Sequence, residues 1–130
     1  MPPTVLIVED ADTCAHILEI LVGTMDGLRV TTVSSGDAAW EMLMKSPEPM
    51  GAIVTDLHMS GMDGFELMER VRGHQVHSRV PIIVITGCTD PEAPERARLH
   101  GANAVFLKPY SPARVREKLE QLLSDDNSSE

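Results

Sequence analysis

The stretch VLIVEDADTCAHILEILVGTM (5–25) decides the fold because it joins a short apolar run to an amphipathic helix. The run LIV (6–8) stops at the acidic pair Glu9-Asp10, and a short, bounded run of this kind is typical of a buried strand. The apolar residues that follow at helical spacing are Cys14, Ile17, Leu18, Leu21, Val22 and Met25. That spacing places them on one face of a helix, so the stretch predicts a strand followed by a helix.

Three further apolar runs repeat the pattern of the first, and each ends in a polar residue. AIVT (52–55) stops at Asp56, IIVI (82–85) stops at Thr86, and VFL (105–107) stops at Lys108-Pro109. LRVTTVS (28–34), after an Asp-Gly turn, is another strand candidate. Five strands that alternate with helices predict an α/β domain, a doubly wound five-stranded parallel sheet with helices on both faces.

The segments between the strand candidates have the patterns of helices. Ser35 is the expected N-cap of a helix over 36–45, and another helix is expected over 63–72. Ser111-Pro112 has the composition of a helix start and opens the last helix. The residues of this helix that are expected to face inward are Val115, Leu119, Leu122 and Leu123.

The fourth helix is expected to be short and weakly held. Asp90-Pro91 has the composition of a cap and a first helical residue, but Pro94 follows soon after. Leu99 is the only large apolar residue between positions 91 and 100, so this helix has little apolar surface to bury.

The carboxyl ends of the parallel strands are expected to form a ligand site, because doubly wound sheets bind ligands at that edge. The polar residues there are Glu9, Asp10, Asp56, Thr86 and Lys108. Three converging carboxylates need a counter-charge, and oxygen ligands favour Mg²⁺. Lys108 and Thr86 suit phosphoryl oxygens, and Asp56 is the best candidate for a nucleophile that forms an acyl phosphate.

Each residue of this set also has a structural interpretation when it is taken alone. Glu9-Asp10 could be an acidic start to the first helix, where negative charge is favourable against the helix dipole. Asp56 could be a turn residue, and Thr86 could be a helix cap. The agreement of four strand ends in one chemistry favours a site, because function is argued from constellations of residues.

The amino-acid composition limits which partners and which cellular compartment are expected. The 130 residues carry 11 Lys and Arg against 20 Asp and Glu, a net charge of −9 that disfavours nucleic acid and anionic membranes as partners. The N-terminus lacks the basic region of a signal peptide, and no apolar run approaches a bilayer span. Cys14 and Cys88 are therefore expected to be reduced thiols of a cytoplasmic domain.

Four motifs together resemble the receiver domain of a bacterial response regulator, of the single-domain chemotaxis-regulator type. They are VLIVED (5–10), VTDLHMSGMDGFEL (54–67), PIIVITG (81–87) and GANAVFLKP (101–109). The resemblance implies a flavodoxin-like (βα)5 fold with strand order 2-1-3-4-5. It covers a predicted receiver domain over residues 1–123, and SDDNSSE (124–130) is expected to be a disordered acidic tail.

The resemblance also implies a role for each residue of the polar set. Asp56 would accept a phosphoryl group from a histidine kinase or a histidine phosphotransfer protein, and Lys108 and Thr86 would bind the phosphoryl oxygens. The implied ligands of Mg²⁺ are Glu9, Asp10, Asp56 and the backbone carbonyl of His58. The Lys108-Pro109 peptide bond is expected to be cis, and X-Pro is the bond type in which cis costs little.

Several positions depart from the commonest pattern of the family. Val105 stands where an aromatic switch residue is usual, and Ser60 replaces a frequent proline. His58 and Cys88 occupy positions that tune phosphoryl lifetime in the family. We therefore expect the signal to depend on the fourth helix and its preceding loop, without a ring rotation.

Several alternatives stay open at the level of sequence. The chain could be a degenerate receiver that acts as a scaffold, or a phosphatase that works through an aspartyl-phosphate. It could be a free-standing regulator or a receiver from a larger hybrid kinase, and a monomer or a weak homodimer. The downstream protein target is unknown. His74 and His77 are three positions apart and could touch a metal, but a polar loop is the preferred interpretation.

Overall fold

The computed structural model describes residues 2–59, 61–87 and 89–128. Strands and helices alternate from β1 to α5. Their bounds are β1 Thr4–Val8, α1 Asp12–Gly23, β2 Arg29–Val33, α2 Gly36–Lys45, β3 Ala52–Thr55, α3 Gly64–Arg72, β4 Ile82–Thr86, α4 Ala93–Leu99, β5 Ala104–Leu107 and α5 Pro112–Ser128. All four strand pairings are parallel, and the order β2-β1-β3-β4-β5 confirms the predicted fold.

Helices cover both faces of the sheet because the buried strands are apolar on both sides. Leu6 and Val8 of β1 pack in a cluster with buried residues of α2, α3 and α4. Val5 and Ile7, which point the other way, pack with buried residues of α1 and α5. This alternation is the period of two that a strand imposes, and it splits the core into two layers.

The register of the sheet brings the polar strand ends together. Val8 of β1 lies opposite Thr55 of β3, so the residues that follow these two strands start at the same level. Thr86 of β4 lies opposite Leu107 of β5, which puts the next residue, Lys108, at the same edge. The strand order reverses between β1 and β3, and this is the point where ligands bind in doubly wound folds.

The helix caps follow the predictions in one place and differ in another. The Ser35 hydroxyl accepts from the Ala38 amide at 3.0 Å, which confirms it as the N-cap of α2. The predicted cap Asp90 is wrong, since α4 begins later, after Glu92. Asp90 instead accepts from the Glu92 amide at 2.9 Å and closes a turn ahead of the helix. Proline fits the first turn of this later helix because the amide it lacks would have no partner there.

The shortness of α4 is confirmed, and so is its small buried surface. The helix has seven residues and buries only the small side chains of Ala93 and Ala97. Leu99, its one large apolar residue, is 79% exposed. Burial of two methyl groups stabilises a helix far less than burial of leucine or valine side chains does.

The last helix is longer than the sequence predicts. Val115 and Leu119 are fully buried and Leu122 and Leu123 partly so, as expected of its inward face. The backbone then stays helical through Ser128, five residues into the segment predicted to be a disordered tail. Extending a helix that already exists costs much less than nucleating one, so polar residues can continue it. Residues 129 and 130 lie outside the described residues.

Both histidines lie in a loop after α3, as the sequence predicts, but His77 is buried and not at a polar surface. Its side chain is fully buried, and its Nε2 lies 3.0 Å from the Leu43 carbonyl oxygen at the end of α2. The His74 ring stacks on it with centroids 5.2 Å apart, and Trp40 meets His74 edge-on. His77 therefore packs the loop after α3 against α2.

No helix in the described parts of the chain is long and apolar enough to cross a membrane.

Candidate functional site

Glu9 is held in a buried position directly after β1. Its side chain is 3% exposed, and its amide donates to the Val33 carbonyl at 3.0 Å. One carboxylate oxygen, Oε2, accepts from the Ala11 amide at 3.2 Å. The other oxygen is then available to a partner from elsewhere in the fold. A buried carboxylate with such partners is a fixed charge at the sheet edge.

Asp56 follows β3, and its two carboxylate oxygens have different surroundings. Its Oδ1 accepts from the Leu57 amide at 2.6 Å and lies 3.4 Å from the His58 amide nitrogen. Its Oδ2 faces away from these donors, and the side chain is 12% exposed. The backbone of the following loop thus fixes the orientation of the carboxylate and leaves one oxygen for chemistry.

Lys108 joins the two carboxylates. Its ammonium donates to Glu9 Oε1 at 3.0 Å and to Asp56 Oδ2 at 3.1 Å. The lysine backbone is fixed in turn, because its amide donates to the Thr86 carbonyl at 2.9 Å. The Lys108-Pro109 peptide bond is cis, as expected. One ammonium therefore bridges the ends of β1 and β3 from the end of β5.

The electrostatics of Lys108 favour its charged form. Burial acts to lower the pKa of the ammonium, but the hydrogen bonds to Glu9 and Asp56 and the charges of these carboxylates outweigh it. The net result is a Lys108 pKa well above its ordinary value. The lysine is a permanent cation at neutral pH, and it is fixed beside the candidate nucleophile.

Two further members of the predicted set, Thr86 and Asp10, lie at the same edge of the sheet. Thr86 ends β4 and is fully buried. Asp10 is exposed, and none of the described residues forms a hydrogen bond or ion pair with its side chain. Within the described ranges no three Asp, Glu, His or Cys side chains lie close enough to make a preformed metal site. The structure therefore brings Glu9, Asp56 and Lys108 together and places Asp10 beside them.

The residues present fit a hard divalent cation. Two carboxylates converge on one ammonium at 3.0 and 3.1 Å, and the neighbouring Asp10 leaves the group negative overall. Mg²⁺ keeps several waters and takes only one or two carboxylates, so it does not need a closed cage of side chains. Every candidate ligand is an oxygen, as this ion requires.

Of the four positions that depart from the commonest family pattern, two lie among the described residues. Val105 is partly buried and packs in the cluster with α2, α3 and α4, so an aliphatic side chain fills this position. His58 is exposed beside Asp56. Ser60 and Cys88 lie outside the described residues.

Sequence reasoning missed two features around the site. A Cβ on Gly64 would overlap the Asp56 carbonyl oxygen, so α3 must begin with glycine to approach Asp56. A cavity of about 340 Å³ adjoins Lys108, and Tyr110 is among its lining residues. Burial raises the pKa of the Tyr110 hydroxyl. The Asp63-Gly64 pair in the sequence indicates the close approach of α3 to Asp56. No local sequence pattern indicates the cavity.

Comparison with known proteins identifies the class to which this fold and site belong. The model of the response regulator receiver domain family matches residues 5–120, so the chain is a member of that family. It is 30% identical over 118 residues to a chemotaxis protein CheY homolog from Campylobacter jejuni, covering 91% of this chain and 90% of that protein.

Two solved structures show the same likeness in three dimensions. A structure described as a response regulator from Chloroflexus aurantiacus superposes with a TM-score of 0.86 at 31% identity, covering 95% of this chain and 99% of that one. The receiver domain of sensor histidine kinase PA1611 from Pseudomonas aeruginosa has a TM-score of 0.84 at 25% identity, with coverage of 95% and 99%. That structure has a magnesium ion coordinated in its active site cleft.

Proposed function

We propose that this receiver domain is a phosphorylation-dependent switch in which Asp56 accepts a phosphoryl group with the help of Mg²⁺. The donor is a histidine kinase or a histidine phosphotransfer protein, and the compartment is the cytoplasm. The observation that carries the proposal is the Lys108 ammonium, which lies 3.1 Å from one Asp56 oxygen while backbone amides bind the other. This arrangement orients the Asp56 carboxylate and places a cation where phosphoryl oxygens would bind, which favours a phosphoacceptor over the scaffold alternative.

The transfer follows from the orientation of Asp56. Its Oδ2 attacks the phosphorus of a phosphohistidine, a P–O bond forms, and the P–N bond breaks with its electron pair on the histidine nitrogen. Lys108 then donates to a phosphoryl oxygen instead of to the bare carboxylate, and the Thr86 hydroxyl binds another. The fixed charge of the lysine stabilises the phosphoryl group without reorganising the site during transfer.

The metal ligands we propose are the carboxylates of Glu9, Asp10 and Asp56 and the backbone carbonyl of His58. When bound, Mg²⁺ supplies charge that offsets the repulsion between these carboxylates and an incoming phosphoryl group. Glu9 is already fixed by the Ala11 amide at 3.2 Å, so it provides a rigid part of the set. Asp10 is exposed and completes the set from the solvent side.

An apolar surface next to the site suits a phosphodonor protein. Ile17 and Ile20 of α1 are 46% and 57% exposed, and Ile17 also lines the cavity beside Lys108. Contiguous exposed apolar residues are typical of protein-binding surfaces, so we propose that this pair contacts the donor. A helical donor that covered this surface would bring its phosphohistidine to Asp56.

The output of the switch is proposed to depend on α4. Its buried side chains are two alanines, and Leu99 on α4 and Leu107 on β5 are 79% and 51% exposed. An element with few buried apolar contacts opens or shifts at low cost. Val105 replaces the usual aromatic residue, so a displacement of α4 without a ring rotation is the proposed signal to a downstream protein.

Phosphorylation by a small donor tests the proposal. The protein is incubated with acetyl phosphate and MgCl₂, and the intact mass is measured with time. We expect the addition of one phosphoryl group to the wild type and to the control Asp26→Asn, which changes an exposed carboxylate in the turn after α1. Asp56→Asn should gain nothing. Addition that Asp56→Asn does not prevent would overturn the assignment, and no addition to the wild type would favour the scaffold alternative.

A further inference from the structure

The loop that follows Asp56, described over residues 57–59 and 61–63, is attached to the start of α2. The Met62 amide donates to the Asp37 carboxylate oxygen Oδ2 at 3.1 Å, across 25 positions of sequence. Asp37 is the second residue of α2, whose N-cap hydroxyl on Ser35 is already bound to the Ala38 amide. The Asp37 carboxylate is therefore not the cap of its own helix, and its hydrogen bond is to the loop.

The glycines on both sides of this contact allow the loop to come so close. Gly61 has a positive φ of 76°, and a Cβ there would overlap the Asp37 carboxylate. A Cβ on Gly36 would overlap the Met62 carbonyl oxygen from the helix side. The Met62 side chain is buried in the core cluster with Leu57, so the attachment point is packed as well as hydrogen-bonded.

The same loop supplies the backbone around Asp56. It begins with the Leu57 and His58 amides that lie 2.6 and 3.4 Å from Asp56 Oδ1. It ends at Asp63, whose side chain caps α3 by accepting from the Glu66 amide at 2.9 Å. Among the described residues, Asp37 provides the only side-chain hydrogen bond that reaches this loop from another element.

We propose that Asp37 is a positioning residue for the phosphoryl site. It fixes the loop at Met62 and thereby holds the His58 carbonyl and the two amides in place for metal and phosphoryl binding. It acts through the loop and touches neither ligand. This inference rests on the proposed function, since it names a residue that prepares the same site.

A purely structural role for Asp37 makes a different prediction. An acidic residue in the first turn of a helix stabilises the helix through its dipole, wherever the site lies. In that case any change that weakens the start of α2 would affect the site equally. Ser35→Ala is the matched control, because it removes the cap of the same helix without touching the loop.

The test compares Asp37→Ala, Asp37→Asn and Ser35→Ala with the wild type. Calorimetric titration with MgCl₂, alone and with beryllofluoride, measures the Kd values, and urea unfolding measures stability. Asp37→Ala should weaken both Kd values about threefold to tenfold, the range expected for one hydrogen bond. Asp37→Asn retains an oxygen acceptor and should bind nearly as the wild type does. Ser35→Ala should lose stability and keep wild-type Kd values.

Four results would overturn the inference, and the last of them differs in kind from the other three. Unchanged Kd values in Asp37→Ala, or equal losses in Asp37→Ala and Ser35→Ala, reduce Asp37 to a structural residue. Equal losses in Asp37→Asn and Asp37→Ala assign the effect to charge at the helix start. Absence of binding by the wild type would instead overturn the proposed function, and this inference with it.

Discussion

Lys108 Nζ donates to Asp56 Oδ2 at 3.1 Å, although 52 positions of sequence separate the two residues. The contact exists because β5 and β3 end at the same edge of the sheet, on either side of β4. The ammonium also donates to Glu9 at 3.0 Å, so it binds a buried carboxylate and a candidate nucleophile at the same time. Stability and reactivity should therefore respond together when this lysine is changed.

Replacement of Lys108 should cost stability mainly through Glu9. Lys108→Met leaves the Glu9 carboxylate, 3% exposed, without its counter-charge, and unfolding free energy should fall by about 2–3 kcal/mol. Adding Glu9→Gln should restore part of the loss, because no buried charge then stays unpaired. Urea unfolding followed by Trp40 fluorescence measures all four species. Additive losses in the double variant would contradict the pairing.

Alkaline pH should remove the contribution of Lys108. Its folded pKa lies above the ordinary value of 10.5, because hydrogen bonds to Glu9 and Asp56 outweigh the burial that would lower it. A raised folded pKa gives stability that is fully present below the unfolded pKa and is lost as pH rises toward the folded pKa. The wild type should thus lose more stability above pH 10.5 than Lys108→Met does. Unfolding free energies that fall equally with pH in the two proteins would contradict this prediction.

Tyr110, the single tyrosine, reports on the same region by its absorbance. Burial raises its pKa above the ordinary 10.0, Cys14 adds to the rise, and Lys108 opposes it. Spectrophotometric titration should therefore show ionisation above pH 10.0 in the folded protein. Lys108→Met should move the midpoint higher, since the cation that stabilises the phenolate is lost. A midpoint that stays the same or moves lower would contradict the stabilisation of the phenolate by Lys108.

Gly64→Ala should displace the backbone of Asp56, the proposed phosphoryl acceptor. The added methyl group would overlap the Asp56 carbonyl oxygen, so we expect a loss of about 1–3 kcal/mol and slower phosphorylation. Gly23→Ala is the control, because a Cβ at the end of α1 meets nothing within 4 Å. It should be neutral or stabilising by up to about 1 kcal/mol. Equal effects of the two changes would contradict the close approach of α3 to Asp56.

The sequence predicts those parts of the fold and site that depend on local pattern and on parallel register. Apolar runs identify the strands, and parallel strands must bring the residues after β1, β3 and β5 to one edge. Burial of His77 was not predictable in this way, because its partner is the carbonyl of Leu43, 34 positions away. The Asp37–Met62 contact likewise joins segments that only the completed fold brings together. The sequence places the start of α4 too early because Asp90 caps a turn and not the helix.

The most direct test of the account is the position of the phosphoryl group itself. After reaction with acetyl phosphate and MgCl₂, borohydride reduces an acyl phosphate to an alcohol, which converts a phosphorylated aspartate to homoserine. Peptide mass mapping should find homoserine at position 56 and nowhere else. Homoserine at Asp10, or a phosphoryl group stable to borohydride on a hydroxyl or histidine side chain, would contradict the assignment of Asp56 as the acceptor.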